Sequence, residues 1–166
     1  IREAASRFET VLAEELNVQD TYSVAQKGVY ATAELIESAE RMIPESLRTK
    51  MSDQAIFDLR EAGKCLAFET PTASAFHLLR SVESMLLAYY ELVTESKAPT
   101  RMRNWGVYIK NLRATGKADP KILDFLDHIR ETYRNPISHP EATITTDEML
   151  VLFGVATAAI VQIAIA

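Results

Sequence analysis

The residues best equipped for chemistry lie in one short segment, Tyr133-Arg134-Asn135-Pro136-Ile137-Ser138-His139-Pro140. An imidazole gains and loses a proton near neutral pH, and a guanidinium is a permanent cation whose fork matches two phosphate oxygens. Together they suit phosphodiester chemistry. His139 would take the proton of a ribose 2′-hydroxyl while Arg134 neutralises charge building on the phosphorane, with Asn135 positioning the loop or the phosphate. In an unbroken helix Arg134 and His139 stand five steps of about 100°, a net of about 140°, apart around the axis and cannot meet one ligand. Pro136 disfavours helical geometry in the residue before it, so the helix is expected to end near Asn135, leaving a loop free to swing His139 back toward Arg134. One imidazole cannot accept the 2′-hydroxyl proton and protonate the 5′-oxygen at the same moment. A two-fold dimer would bring His139 of a second copy to the same cleft.

A plainer reading fits the same residues: Arg134 at the negative end of its helix, Asn135 as its cap, Pro136 as its stop and His139 in water. Eleven Arg and three His among 166 residues give about 0.2 chance matches to this spacing, so context has to carry the rest. His77, Arg80 and Glu83 follow one another at intervals of three, which places them on one helical face from which they could orient Arg134 or His139.

The net charge of -5 argues against a surface coated with positive charge, but its distribution is uneven. Residues 1–96 carry nine basic and sixteen acidic groups, 97–121 seven and one, and 122–166 two and six. In the basic stretch Lys97, Arg101, Arg103, Lys110, Arg113, Lys117 and Lys121 are interleaved with Trp105 and Tyr108. That mixture suits an RNA backbone and a stacked base, or an ordinary solvated helix with a core-facing aromatic side.

Other chemistries find little support. His77, His128 and His139 form no HExxH or paired ExxH arrangement, and Asp124, Asp127, His128 and Glu131 read as a solvated helix face, so no metal and no other cofactor is expected. Ser-His-Asp, Cys-His and Gly-rich phosphate signatures are missing. Cys65 is the only cysteine, so no disulfide framework can form within the chain and a reducing, cytoplasmic setting is expected.

The elements that must position Arg134 and His139 are helical. Ile1, Ala4, Ala5, Phe8, Val11, Leu12 and Leu16 recur at three and four, predicting an amphipathic helix that stops near Asn17. From Thr21 to Tyr30, the residues Tyr22, Val24, Val29 and Tyr30 around Gly28 suggest a short extended segment or hairpin. A helix from Thr32 to about Met42 ends at Pro44, and a polar connection leads to a cap at Ser52 and a helix over 53–68. Thr70-Pro71 opens the longest helix, to about Val93. Asn104 to Ala114 is predicted helical with Gly116 as its stop, Asp119-Pro120 opens the helix that carries Arg134, and Thr146 is expected to cap the last one. Met149 to Ala166 holds no charge and just reaches membrane-spanning length, yet Gly154, Thr157, Gln162 and many Ala favour a bundle helix covered on every side, with no membrane partner. The expected fold is an all-α helical bundle, with residues 1–50 as an N-terminal extension or interface and 51–166 as the bundle.

Across about residues 52–166 the sequence resembles the HEPN superfamily, whose members place an Arg, a polar residue, a short gap and a His between the last two core helices. Arg134, Asn135 and His139 match that pattern. Cys65-Leu66-Ala67-Phe68 and Ala75-Phe76-His77-Leu78-Leu79-Arg80-Ser81-Val82-Glu83 also look like helices of bacterial HEPN-like proteins. The resemblance implies a dimer whose two motifs line one cleft, acting either as a metal-independent endoribonuclease of the toxin or antiviral kind or as a noncatalytic module for RNA, nucleotide or protein. It also implies an antitoxin or other regulatory partner. Members controlled by a nucleotidyltransferase carry a Tyr two residues after the His; Glu141 stands at that position, which speaks against that mode of control.

Overall fold

A computed structural model of the chain describes residues 1–19, 22–98 and 104–166. It is an all-α bundle; among the described residues the only extended pairing is a single bridge between Lys27 and Tyr30, around Gly28 with its positive φ of 57°. The expected hairpin is therefore a tight turn. Lys27 ties that turn down through its Nζ, which donates to Glu69 Oε1 at 2.9 Å and to the Ala25 carbonyl at 2.8 Å.

The helices are α1 (Arg2–Val18), α2 (Thr32–Ser38) with a 3₁₀ turn (Ala39–Met42), α3 (Glu45–Arg48), α4 (Asp53–Ala67), α5 (Pro71–Thr94), α6 (Trp105–Thr115), α7 (Pro120–Ile129), α8 (Asn135–Ile137) and α9 (Thr146–Ile165). Most boundaries follow from local chemistry. Ser52 Oγ accepts from Ala55 N, Asn104 Oδ1 from Gly106 N and Asp119 Oδ1 from Lys121 N, each satisfying an orphan donor of a first turn. Pro71 opens α5, and Gly116 ends α6 at φ 65°. The polar connection after Pro44 contains one further helical turn, α3.

α5 is the central helix. It packs along α4 on one side and on α9 and α6 on others, while α7 lies against α6 and α9. Two buried hydroxyls tie α5 to α4: Ser74 Oγ donates to the Ala62 carbonyl at 2.7 Å and Ser81 Oγ to that of Ala55 at 2.8 Å. Small residues at this crossing, Ala55, Ala62 and Ala75, let the backbones approach. Of the segment 1–50, Leu35 and Ile43 are fully buried in the same core as α4 and α5, whereas no residue of α1 is buried.

The last helix departs from expectation in two ways. Its cap is Thr145 rather than Thr146: Thr145 Oγ1 accepts from Glu148 N while Glu148 Oε2 accepts from Thr145 N, a reciprocal box. The Thr145 amide and hydroxyl hold the Glu148 carboxyl below its usual range. α9 is also covered on one face only. Met149, Leu152, Phe153, Ala156, Ile160 and Ile163 are buried, but Val151, Ala158 and Ile165 are exposed. By length and composition it is the one described helix long and apolar enough to cross a membrane.

Glu40, on the 3₁₀ turn, is buried and accepts from Arg60 Nη2 at 2.7 Å; that bond holds its carboxyl below the ordinary Glu range. A folded-state pKa below the unfolded value contributes stability that is present above the unfolded value and lost as pH falls through the folded one. Arg60→Ala should therefore lower stability at pH 7 by about 1 kcal/mol, Arg60 being half exposed. Urea titrations from pH 7 down to about 3 should show that difference shrinking as Glu40 protonates.

Candidate functional site

The helix that carries Arg134 does not break before Pro136. α7 continues through a widened π turn (Arg130–Arg134) into α8, and Asn135 keeps right-handed helical angles at φ -66°, ψ -51°. In a regular helix the Pro136 ring would meet the carbonyl four residues back. The π turn removes that conflict, because Asn135 N donates to the carbonyl of Arg130, five residues earlier. The chain leaves the helix only after Ile137, which is buried, and His139 N closes the exit by donating to the Pro136 carbonyl at 2.9 Å.

Of the expected pair, Arg134 alone lines a hollow. Arg134 is half-buried and lines a hollow of about 180 Å³ together with Arg80, Glu83 and Ser138, over the apolar walls of Phe76, Leu79 and Ile137. His139 and Asn135 are exposed and do not line it. The expected helix end near Asn135 is not found: the break follows Ile137 instead of preceding Pro136. The Arg134 guanidinium has no hydrogen bond or ion pair to any described residue; only its carbonyl is engaged, accepting from Ser138 Oγ at 2.7 Å.

Arg80 is held from behind. Its Nε donates to Asp58 Oδ2 at 3.3 Å, and Asp58 is buried on α4, where it also accepts from Gln54 Nε2 at 2.8 Å and pairs with His77 Nδ1 at 2.8 Å. The Phe57 ring stands edge-on to His77. Nε is fixed, the side chain is more than half exposed, and the two terminal nitrogens of Arg80 bond to no described residue. Arg80 and Glu83 form the ridge between the Arg134 hollow and a second one of about 260 Å³ that reaches Asp58 and Ser84. Sequence reasoning missed Asp58, although a signal was present. It falls between Ala55, Leu59, Ala62 and Leu66 on the buried stripe of α4, where a charge needs partners.

Two of the five described basic residues of the stretch 97–121 are ion-paired. Arg113 Nη2 pairs with Asp124 at 2.8 Å and Asp127 at 3.1 Å, and Lys117 lies 3.5 Å from Glu95. Arg130 bridges Asp127 and Glu131. Trp105 and Tyr108 are buried in the core, so neither ring offers a stacking platform. Lys110 remains exposed beside a shallow hollow that Asn104, Gly106, Arg113 and Arg130 share. Arg101 and Arg103 lie outside the described residues. Among the described residues no group of three or more His, Cys, Asp or Glu side chains converges as a metal cage would require.

Fold and site together define a helical bundle with a two-arginine hollow on one flank. Comparison with family models, curated proteins and solved structures found no match.

Proposed function

We propose that the hollow between Arg80 and Arg134 seats a phosphate of single-stranded RNA and that the protein cleaves the adjoining phosphodiester. The observation that carries this reading is a pair of arginines lining one small hollow beside Glu83, Arg134 having no carboxylate partner among the described residues. Like-charged groups repel unless an anion lies between them, and two forks around one phosphate would stabilise the phosphorane more than its ground state. His139 removes the 2′-hydroxyl proton, the 2′-oxygen attacks phosphorus, and the P–O5′ bond breaks. The products are a 2′,3′-cyclic phosphate and a 5′-hydroxyl whose proton comes from His139 of a second copy. Glu83, on the same wall, accepts a hydrogen bond from a ribose hydroxyl, and Lys110 and the remaining free lysines attract the backbone. The resemblance of Arg134, Asn135 and His139 to the HEPN motif supports the same reading.

A second reading is a noncatalytic module that holds RNA or a nucleotide; it is favoured by the position of His139 outside the hollow. Labelled RNA incubated with purified protein in excess chelator separates the two. Under the first reading wild type cleaves, and Arg134→Ala and His139→Ala each lose about 10²-fold or more in rate. Equal background in all samples, with RNA binding weakened by Arg134→Ala and Arg80→Ala but untouched by His139→Ala, would establish the module instead.

A further inference from the structure

Helix α1 spans 17 residues and none of them is buried. A free helix of this length is marginal in water, and α1 lacks the usual supports: Ile1 provides no capping side chain, and no ion pair links its charged residues to each other or to other described residues. Yet it carries an apolar face interrupted by Glu15. Ile1, Ala4, Phe8 and Val11 recur at three and four, Val18 follows after Glu15 in the same series, Ala5, Leu12 and Leu16 flank them, and Phe8, Val11 and Leu12 are 66%, 56% and 45% exposed. The large side chains of this face leave on the order of 800 Å² in water per copy, close to what one partner contributes to a specific interface.

We infer that this face pairs with α1 of a second copy, antiparallel. The charges choose both partner and direction. Arg2, Glu3, Arg7 and Glu9 occupy the first half of the helix and Glu14 and Glu15 the second, and of these Arg7 and Glu14 border the apolar face on the same side. Laid antiparallel, Phe8 of one copy packs over Val11 of the other, Ile1 over Val18, and Ala5 beside Leu12, while Arg7 of each copy meets Glu14 of the other along one flank. Glu15 then lies opposite the small Ala4, with room to reach water. A parallel pair would stack Glu15 on Glu15 in the seam and set Arg7 against Leu12. Antiparallel helix dipoles add to the preference. The pairing rests on the composition and exposure of α1 alone and holds whether or not the Arg134 hollow cleaves RNA.

Sedimentation velocity on the full chain from about 1 to 100 µM tests it, and because no α1 residue is buried the variants leave the bundle intact. The expected result is a reversible dimer with a micromolar midpoint, retained by Arg134→Ala and weakened at least tenfold by Phe8→Ser. Arg7→Glu and Glu14→Arg should each weaken it several-fold, and the double variant should restore it. A chain that stays monomeric at 100 µM overturns the inference, whether α1 then folds back on its own bundle or binds only lipid vesicles. So does a dimer indifferent to Phe8→Ser, and failure of the double charge swap to restore pairing overturns the antiparallel register.

Discussion

Gly63→Val is expected to cost about 3–5 kcal/mol and to unfold a large part of the population at physiological temperature. Gly63 sits where α4 crosses α2, and a Cβ built on it would stand 2.5 Å from both Ala39 Cβ and the Leu35 carbonyl oxygen. One of these obstacles is backbone, so no side-chain rotation relieves it; α2 and its 3₁₀ extension must move away, exposing Leu35, Ala39 and Ile43. Gly63→Ala tests the same point with the sign contested. Alanine gains about 1 kcal/mol of helix propensity over glycine, but relief of the overlap costs more, so a net loss of about 1–3 kcal/mol is expected in urea unfolding. A Gly63→Ala variant as stable as wild type would show that the crossing is looser than the structure has it.

Asp58→Ala should be the other large loss, about 2–4 kcal/mol. Its carboxylate is the shared acceptor for Gln54, His77 and Arg80 inside the α4–α5 interface. Truncation leaves a polar void and three donors without their partner, although all three reach solvent and recover part of the cost there. The more telling comparison is with Arg80→Ala, which keeps Gln54 and His77 on Asp58 and should cost under about 1 kcal/mol, since Arg80 is mostly exposed. If the two substitutions prove equal by thermal and urea unfolding, Asp58 serves only Arg80. If they differ as expected, Asp58 is a structural anchor from which Arg80 is aimed.

The parts of the fold legible in the sequence are those set within one turn of chain. Ser52, Thr70-Pro71, Asn104, Gly116 and Asp119 each act on the next few amides, so the bounds of α4, α5, α6 and the start of α7 can be read locally. Features decided by distant neighbours could not be read this way. Trp105 and Tyr108 are interleaved with lysines and arginines in sequence, but the packing of α6 on α5 turns both rings inward. The uniform apolarity of α9 suggests cover on every side; its neighbours are α5, α7 and α3, and the face they leave carries Val151, Ala158 and Ile165. At the candidate site, spacing places Arg80 and Glu83 on one face of α5, while the side of the bundle they share with Arg134 depends on where α8 meets α5. Pro136 misled for a specific reason. The rule it invokes is a steric preference on the residue before a proline, and the chain overrides it: Asn135 keeps helical angles while its amide bonds over five residues to Arg130.

That five-residue bond fixes the phase of everything after it. A helix that spends one extra residue on a turn delivers the rest of the chain rotated by about 100° from the regular path. Ile137 reaches the core and Ser138 the rim of the hollow because of that offset. The direction in which the histidine arm departs is thus encoded upstream of the arm, in a counting step between Arg130 and Asn135.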